Sequence, residues 1–290
     1  MREVIINLRN ELLSSTYNSL HYHIVQVGCG GNGGYLVQQL AQMFSLTEQK
    51  GDYLIADPDL VEKKNLRNQL FIESDVGKSK AQVLARRYRS AYKMPISFYD
   101  KQYIESKDTL SFLFDENESS HSSEFGVIHF PILIGAVDNT YSRKLFHEFF
   151  YEQKNILYMD AGVTSAEIPS GKTLDNLNNW TLEEKRTFAS TGFNGQVVVG
   201  LRLNGETILE PAGEVYPDIL NTEEDDKPSE AACSNLVVSD PQRLMTNRMA
   251  AMAMSVYFND LFSNGLLRNH HTVFHSQKGY MRSQPITIEE

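Results

Sequence analysis

The chain has 290 residues, 41% of them hydrophobic, and a formal net charge of -10, which suits one large or two small globular domains and excludes a general nucleic-acid binder, since that needs a basic surface field. With only Cys29 and Cys233 it is neither a disulfide scaffold nor the holder of paired Cys-x-x-Cys zinc knuckles. No apolar run reaches the roughly 18 to 20 residues of a membrane span, and Met1-Arg2-Glu3-Val4 lacks a signal-peptide layout, so a cytoplasmic protein without a membrane partner is expected.

Residues 1–20 carry Ile5, Ile6, Leu8, Leu12 and Leu13 with Arg2 and Arg9 between them, which predicts an amphipathic helix serving as a packing or dimer arm. Ile24, Val25 and Val27 then form a β-branched strand. Gly28, Gly30, Gly31 and Gly33 follow at the spacing of a strand-to-helix turn that lets backbone approach a phosphate. Leu36, Val37, Leu40, Met43 and Phe44 fall on one face of a helix whose N-terminus would point at the anion. The second strand, Tyr53-Leu54-Ile55-Ala56, ends at Asp57, about 20 residues past the glycines, where nucleotide-binding α/β folds hold a ribose.

Up to this point a dehydrogenase reads the same way. The next segment departs from it: Asp59, Asn65, Arg67, Asn68, Gln69, Lys78 and Lys80 bring amides, an arginine and lysines together, as neutralisation of a triphosphate requires. A helix from Lys80 to about Tyr92, a strand Ile96–Tyr99, a helix around Gln102 to Phe114 and an acidic, serine-rich surface loop at 115–124 follow. Pro131 to Val137 is continuously apolar, as in a strand buried on both faces of a parallel sheet. Asp138 after it either caps the next helix or stands at the ligand crevice of such sheets.

Ile156 to Asp160 is another strand, and from Ala161 the alternation of strand and helix lapses. Asn204-Gly205 between two apolar segments predicts a hairpin. The run 223–229 reads as a mobile crossover leading to Cys233, followed by a helix opening at a Ser239-to-Gln242 capping box. Met245, Met249, Met252, Ala253 and Val256 are expected to form that helix's buried face, and Thr272–His275 with Tyr280-Met281 a terminal hairpin.

Taken in order and spacing, Gly28-Cys-Gly30-Gly31-Asn-Gly33, Asp57-Pro-Asp59, Asn65-Leu66 with Gln69, Gly77-Lys-Ser-Lys80 and Val137-Asp138-Asn139 with Arg143 resemble the adenylation domain shared by ThiF, MoeB and the ubiquitin-activating enzymes. The match covers roughly residues 20–165. Val215-Tyr216-Pro217-Asp218, Ala232-Cys233-Ser234 and the Phe274-to-Pro285 segment look like the ThiF-related members of the bacterial PRTRC cassette. The resemblance implies an α/β fold, a Rossmann-like mostly parallel sheet with helices on both faces and an antiparallel extension in the C-terminal half. Residues 1–20 would be the arm, 21–165 the ATP-binding core, and 166–290 the antiparallel strands, the crossover with Cys233, and the last helix and hairpin, packed on the core as one domain.

It also implies ATP and magnesium, a small ubiquitin-like or sulfur-carrier protein as substrate, a downstream conjugating protein as an optional further partner, and a homodimer. In that reading the glycines line the phosphates, Asp57 holds the ribose, Asn65 and Lys80 contact the triphosphate, and Asp138 binds magnesium. Asp59, Asn68, Gln69 and Asn139 complete the nucleotide set, Arg67 reaches the phosphates, and Cys233 carries the activated acyl group as a thioester. The family pattern Asn-Leu-x-Arg-Gln appears here as Asn65-Leu66-Arg67-Asn68-Gln69, with the arginine one position early, and the family's zinc cysteines are missing. An N-terminal arginine acting on the partner's ATP is placed at Arg9. The competing readings are an NAD-dependent oxidoreductase, which rests on the glycine turn and Asp57, and a catalytically silent nucleotide-fold binding module, which rests on the displaced arginine.

Overall fold

A computed structural model describes residues 2–47, 49–118, 126–221, 226–233 and 242–288. Numbered in chain order, the main sheet is built from β1 (Ser19–Val27), β2 (Lys50–Ala56), β3 (Ile96–Tyr99), β4 (Val127–Gly135), β5 (Ile156–Val163), β6 (Asn194–Leu203), β7 (Glu206–Leu209), β8 (Asn269–His275) and β9 (Tyr280–Pro285). The larger helices are α1 (Gly31–Leu46), α2 (Lys80–Tyr92), α3 (Lys107–Glu118), α4 (Thr140–Glu152), α5 (Leu182–Ser190), α6 (Pro228–Cys233) and α7 (Leu244–Asn264).

The strand order is β9-β8-β6-β5-β4-β1-β2-β3, with β7 on β6. β1 to β5 pair in parallel, and β6, β8 and β9 extend the sheet antiparallel. The chain therefore runs from β1 outward to β3, returns to the other side of β1 and continues outward. That reversal leaves a crevice beyond the carboxyl ends of β1 and β4, where ligands of open α/β sheets bind. One face packs Tyr22, Ile24 and Ile132 against Leu36, Leu40, Ala250, Met254 and Phe258 of α1 and α7. The other packs Val25, Val27 and Leu133 against Leu110, Leu113, Phe146 and Phe150 of α3 and α4. Alternation along β1 thus feeds two cores, as a strand buried on both faces must. Asn204 and Gly205 both have positive φ, the backbone of the expected hairpin turn.

Four elements differ from the sequence reading, the first being α3, which runs on to Glu118 and so takes up the start of the expected 115–124 loop. Residues 1–20 hold two two-residue strands and a helix of only five residues, Leu8–Leu12, where one amphipathic helix was expected. The Asn7 side chain accepts from Arg9 N and Asn10 N and starts the helix late, while Ile6–Asn7 pairs with Leu266–Leu267 and Arg2–Glu3 with Thr287–Ile288. In α7 it is Ala250, Ala251, Met254, Tyr257, Phe258 and Leu261 that are buried, because α1 packs closely there. Met245, Met252 and Val256 are exposed on the opposite side, contrary to the expected methionine face, while Ala253 is buried as expected. The helix starts at Leu244 with no side-chain cap; Ser239 to Pro241 of the expected capping box lie outside the described residues. Finally, the end of the 223–229 crossover is the start of helix α6, whose Ser229 amide donates to Glu105 Oε1 at 2.8 Å.

Candidate active site

The glycine turn follows β1 directly. Gly28 has φ +97°, and a Cβ there would lie 2.4 Å from the Ala136 carbonyl oxygen, while one at Gly33 would lie 2.2 Å from the Gly28 carbonyl oxygen. Only glycine lets the turn, the first turn of α1 and the end of β4 close on one another. Gln26 fastens the turn from below: its Nε2 donates to Gly28 O at 2.8 Å and Gly33 O at 3.1 Å, and its Oε1 accepts from the buried Tyr53 hydroxyl. Gly30 is the N-cap of α1 and offers no side chain to it, so the backbone of the first turn faces the cleft, an arrangement suited to an anion.

A cleft of about 190 Å³ occupies the crevice, its walls including Gly28, Gly30, Gly31, Asp57, Asp59 and Lys80 on one side. Gln69, Asp138, Asn139, Arg143, Tyr103, Pro228 and Gln242 are also among its lining residues. Asp57 is buried at 8% exposure. Its carboxylate accepts from Cys29 N at 2.7 Å and Asp59 N at 2.9 Å, tying the glycine turn to the end of β2. Burial pushes the Asp57 carboxyl above the usual range, with the charge of Lys80 opposing it. Lys80 Nζ donates to Asp59 Oδ2 at 2.8 Å. Burial alone would lower the Lys80 ammonium, but Asp57 and Asp59 outweigh it and hold the group above its ordinary value. For Asp59 burial acts upward, and Lys80 and the Tyr103 hydroxyl carry it below the usual value. The lysine is therefore a fixed cation in the wall.

Arg143, in the first turns of α4, reaches across the bottom of the cleft. It donates to Val137 O at 2.9 Å and pairs with the buried Asp160 at 3.2 Å, and Tyr158 also donates to that carboxylate. Asn139 is the N-cap of α4, its Oδ1 accepting from Ser142 N at 2.8 Å. Asp138 is thus not the cap and stands exposed on the cleft wall. The wall also holds buried polar atoms without hydrogen-bond partners in the structure: Gln69 Oε1, and behind Gly31 both amide atoms of Asn247. Unpaired buried polar groups are costly, and a ligand with a hydroxyl or amino donor would satisfy the Gln69 oxygen at the cleft.

Among the expected site residues, the structure brings Gly28, Gly30, Gly31, Asp57, Asp59, Gln69, Lys80, Asp138 and Asn139 to one cleft, with Gly33 in the helix turn behind it. Four others, Asn65, Arg67, Asn68 and Arg9, stand outside the cleft wall. Asn65 is buried, and its side chain accepts from Glu62 N at 2.8 Å as part of a capping box, so the local helix start consumes it. Arg67 is exposed, and Asn68 Nδ2 donates to Gln242 O at 3.5 Å. Arg9 donates to Gln49 Oε1 at 2.8 Å, away from this cleft. Cys29 is fully buried, and burial with the charge of Asp57 pushes its thiol well up, which makes it a packed side chain. Cys233 ends α6, and its side chain lies outside the described residues. Sequence reading assigned no role to Tyr103, Asp160, Pro228 or Gln242, whose neighbours in the site are remote in sequence.

The ThiF family model matches residues 11–275. The chain belongs to the ThiF family. Among solved structures, this ThiF-family chain is similar to the microcin C7 biosynthetic enzyme MccB in complex with N-formylated MccA, at 19% identity and TM-score 0.56, covering 91% of this chain and 64% of that one. It is similar also to PaaA, at 15% identity and TM-score 0.55, covering 91% and 64%, and to E. coli MccB with ATP, at 18% identity and TM-score 0.51, covering 91% and 62%. Likeness at these identities concerns the fold, and the ThiF-family chain spans less than two thirds of each of these proteins. No curated protein matches the sequence. No helix among the described residues is long and apolar enough to cross a membrane.

Proposed function

We propose that the protein uses ATP to adenylate a substrate carboxylate, the C-terminal group of a small protein of the ubiquitin-like or sulfur-carrier kind. The observation that carries this reading is the convergence on one crevice of the glycine turn, the buried Lys80 and half-buried Arg143 cations and the exposed Asp138 carboxylate. The substrate carboxylate forms a bond to the α-phosphorus of ATP as the bond to the bridging oxygen breaks and pyrophosphate leaves. Both reactants are anionic, so the barrier falls where positive charge and donors are already in place. The helix start at Gly30 and Lys80 hold phosphate oxygens, Asp57 and its amide partners face the ribose, and Arg143 faces the reacting end of the cleft.

Asp138 offers the hard oxygen donor that magnesium takes, and the ion would neutralise phosphate charge there. Membership of the ThiF family supports the reaction class, and MccB has been solved both with ATP and with N-formylated MccA. An oxidoreductase would use the glycine turn and Asp57 and leave Lys80, Asp138 and Arg143 without a task. A silent scaffold would bury Lys80 against two carboxylates for no ligand.

The finer steps belong to the same reading. Pro228 sits in the cleft wall and begins the helix that ends at Cys233, and in this reading that cysteine takes the acyl group as a thioester for onward transfer to a conjugating protein. The exposed Met245, Met252 and Val256 stripe on α7 suits a second copy of the chain. A concentration-independent monomer mass in light scattering would remove the dimer from the reading. The central experiment is exchange of labelled pyrophosphate into ATP with candidate carriers. We expect exchange that needs a divalent metal and a free carrier C-terminus; hydride transfer with a nicotinamide cofactor, and no exchange with any carrier, would overturn the assignment.

A further inference from the structure

At the opposite ends of the same strands lies a cluster that the nucleotide cleft does not use. His21 and His23 stand two residues apart on β1 and so share a face. In the parallel register Asp52 of β2 lies opposite His23, and His129 of β4 lies opposite His21. The four side chains therefore meet on one face of three adjacent strands. His21 Nε2 is 2.8 Å and His23 Nδ1 3.3 Å from the same atom, Asp52 Oδ2. One ligand atom from each of His21, His23 and Asp52 can be chosen so that all lie within 4.8 Å of one another.

We propose that His21, His23 and Asp52 form a binding site for one divalent transition-metal ion of the zinc class. Around a tetrahedral zinc ion with bonds of about 2.0 to 2.1 Å the ligand atoms stand about 3.3 Å apart. The two nitrogen-to-oxygen separations already lie within about half an ångström of that value, and side-chain rotation within the 4.8 Å cluster brings the two nitrogens to the ion. Two imidazoles and a carboxylate select zinc, cobalt, nickel or copper over magnesium or calcium, which prefer all-oxygen sites. His129 supplies the outer support: its Nδ1 is 2.6 Å from His23 Nε2, and the two rings stack with centroids 4.8 Å apart. When His23 Nε2 donates to His129, the His23 tautomer is fixed with its Nδ1 lone pair toward Asp52, as metal-bound histidines require. Without metal His21 Nε2 lies 2.8 Å from Asp52 Oδ2 and His129 Nδ1 2.6 Å from His23 Nε2, and the ion would displace protons that these groups carry.

Burial and access agree with this. The His23 side chain is 1% exposed, while His21 and Asp52 are at 11% and 17%, and a cavity of about 370 Å³ lined by His21, Asp52 and His129 gives the ion a path and a water the remaining position. From His23 to Val27 at the nucleotide cleft the strand runs about 13 Å, so the two sites are separate.

The experiment titrates the full chain, freed of metal by chelation and dialysis, with Co²⁺ and then Zn²⁺. Wild type should take one equivalent of Co²⁺ with the visible bands of a low-symmetry cobalt site, and Zn²⁺ should displace it. Asp52→Asn and His21→Gln should abolish the bands, and His129→Phe should weaken binding about 10- to 100-fold. Circular dichroism checks that each variant folds; His21, partly exposed, is the position least able to disturb the core. Absence of stoichiometric bands in wild type would overturn the proposal. So would bands that persist in the folded His21→Gln protein, which would assign the metal elsewhere, such as His270-His271. The readout is spectroscopic and holds whether or not the protein adenylates a carrier.

Discussion

Replacing Lys80 with methionine keeps the side-chain volume and removes the charge, so the change reports electrostatics rather than a cavity. The lysine side chain is 8% exposed and sits 2.8 Å from Asp59 Oδ2, whose side chain is 41% exposed. Breaking a fully buried pair costs about 3 to 5 kcal/mol. Asp59 reaches water, which discounts that figure, and Asp57 keeps its two amide donors, so about 2 kcal/mol near neutral pH is expected. The pH dependence follows from the directions of the shifts. Asp59 is held below its unfolded value, so its pairing stabilises the fold above the unfolded carboxylate range and the gain disappears as pH falls through the lower folded value. Asp57 is held above its unfolded value, so it favours the fold fully below that value and loses the contribution as pH rises through the folded one. Without Lys80 the Asp59 gain ends and the Asp57 penalty deepens, both at neutral pH. The stability deficit should therefore shrink towards zero below about pH 4, as both carboxyls protonate. Urea unfolding followed through Trp180, the one tryptophan and a buried one, measures it. In pyrophosphate exchange the same variant should lose ~10²-fold or more in kcat/KM. A deficit that stays constant from neutral to acid pH would refute the electrostatic account.

Asp138→Ala, at an exposed position, should shift stability by no more than about 0.5 kcal/mol while abolishing metal-dependent exchange; unchanged turnover would remove Asp138 from the site. Arg67→Ala should leave the KM for ATP as it is and Gln69→Ala should raise it, since the first is exposed and the second lines the cleft with an unpaired oxygen; the reverse order would mean that the 63–69 segment rearranges on binding. With ATP, magnesium and the cognate carrier, wild type should give a thiol-sensitive adduct on a non-reducing gel and Cys233→Ala should not. An adduct that survives the substitution would leave a pure adenylating enzyme.

The parallel half of the fold was legible because its signals are local: a β-branched run, glycines at phosphate-turn spacing and a helical apolar stripe each report on a few neighbouring residues. What failed depends on partners far along the chain. The apolar residues of 1–20 are consumed by pairing with 266–267 and 287–288 as well as by a helix. In α7 both sides carry apolar residues, so the methionine spacing could not say which side meets α1. Asn65 shows a different failure, a residue type that serves a phosphate or a helix start equally well, with the Glu62 amide deciding the matter. Asp57 and Lys80 meet at the cleft as the motif suggested, but Tyr103 and Gln242 carry no local signal, and His129 joins His23 across 106 residues.

The position of β1 between β2 and β4 has a kinetic consequence. Its ladder to β4 joins Ser19 to Val127 and Val27 to Gly135, so the strand that launches the glycine turn gains its second neighbour only after a loop of about a hundred residues has closed. Contacts of such sequence separation are the slow ones in folding, and Ile132, Leu133 and Ile134 stay uncovered until they form. The Gly28 backbone rests on Ala136, so the phosphate cradle is a product of that late step and not a nucleus for it. Nucleotide added to the unfolded chain therefore finds nothing to bind: it will slow unfolding of the finished protein and leave the rate of refolding unchanged.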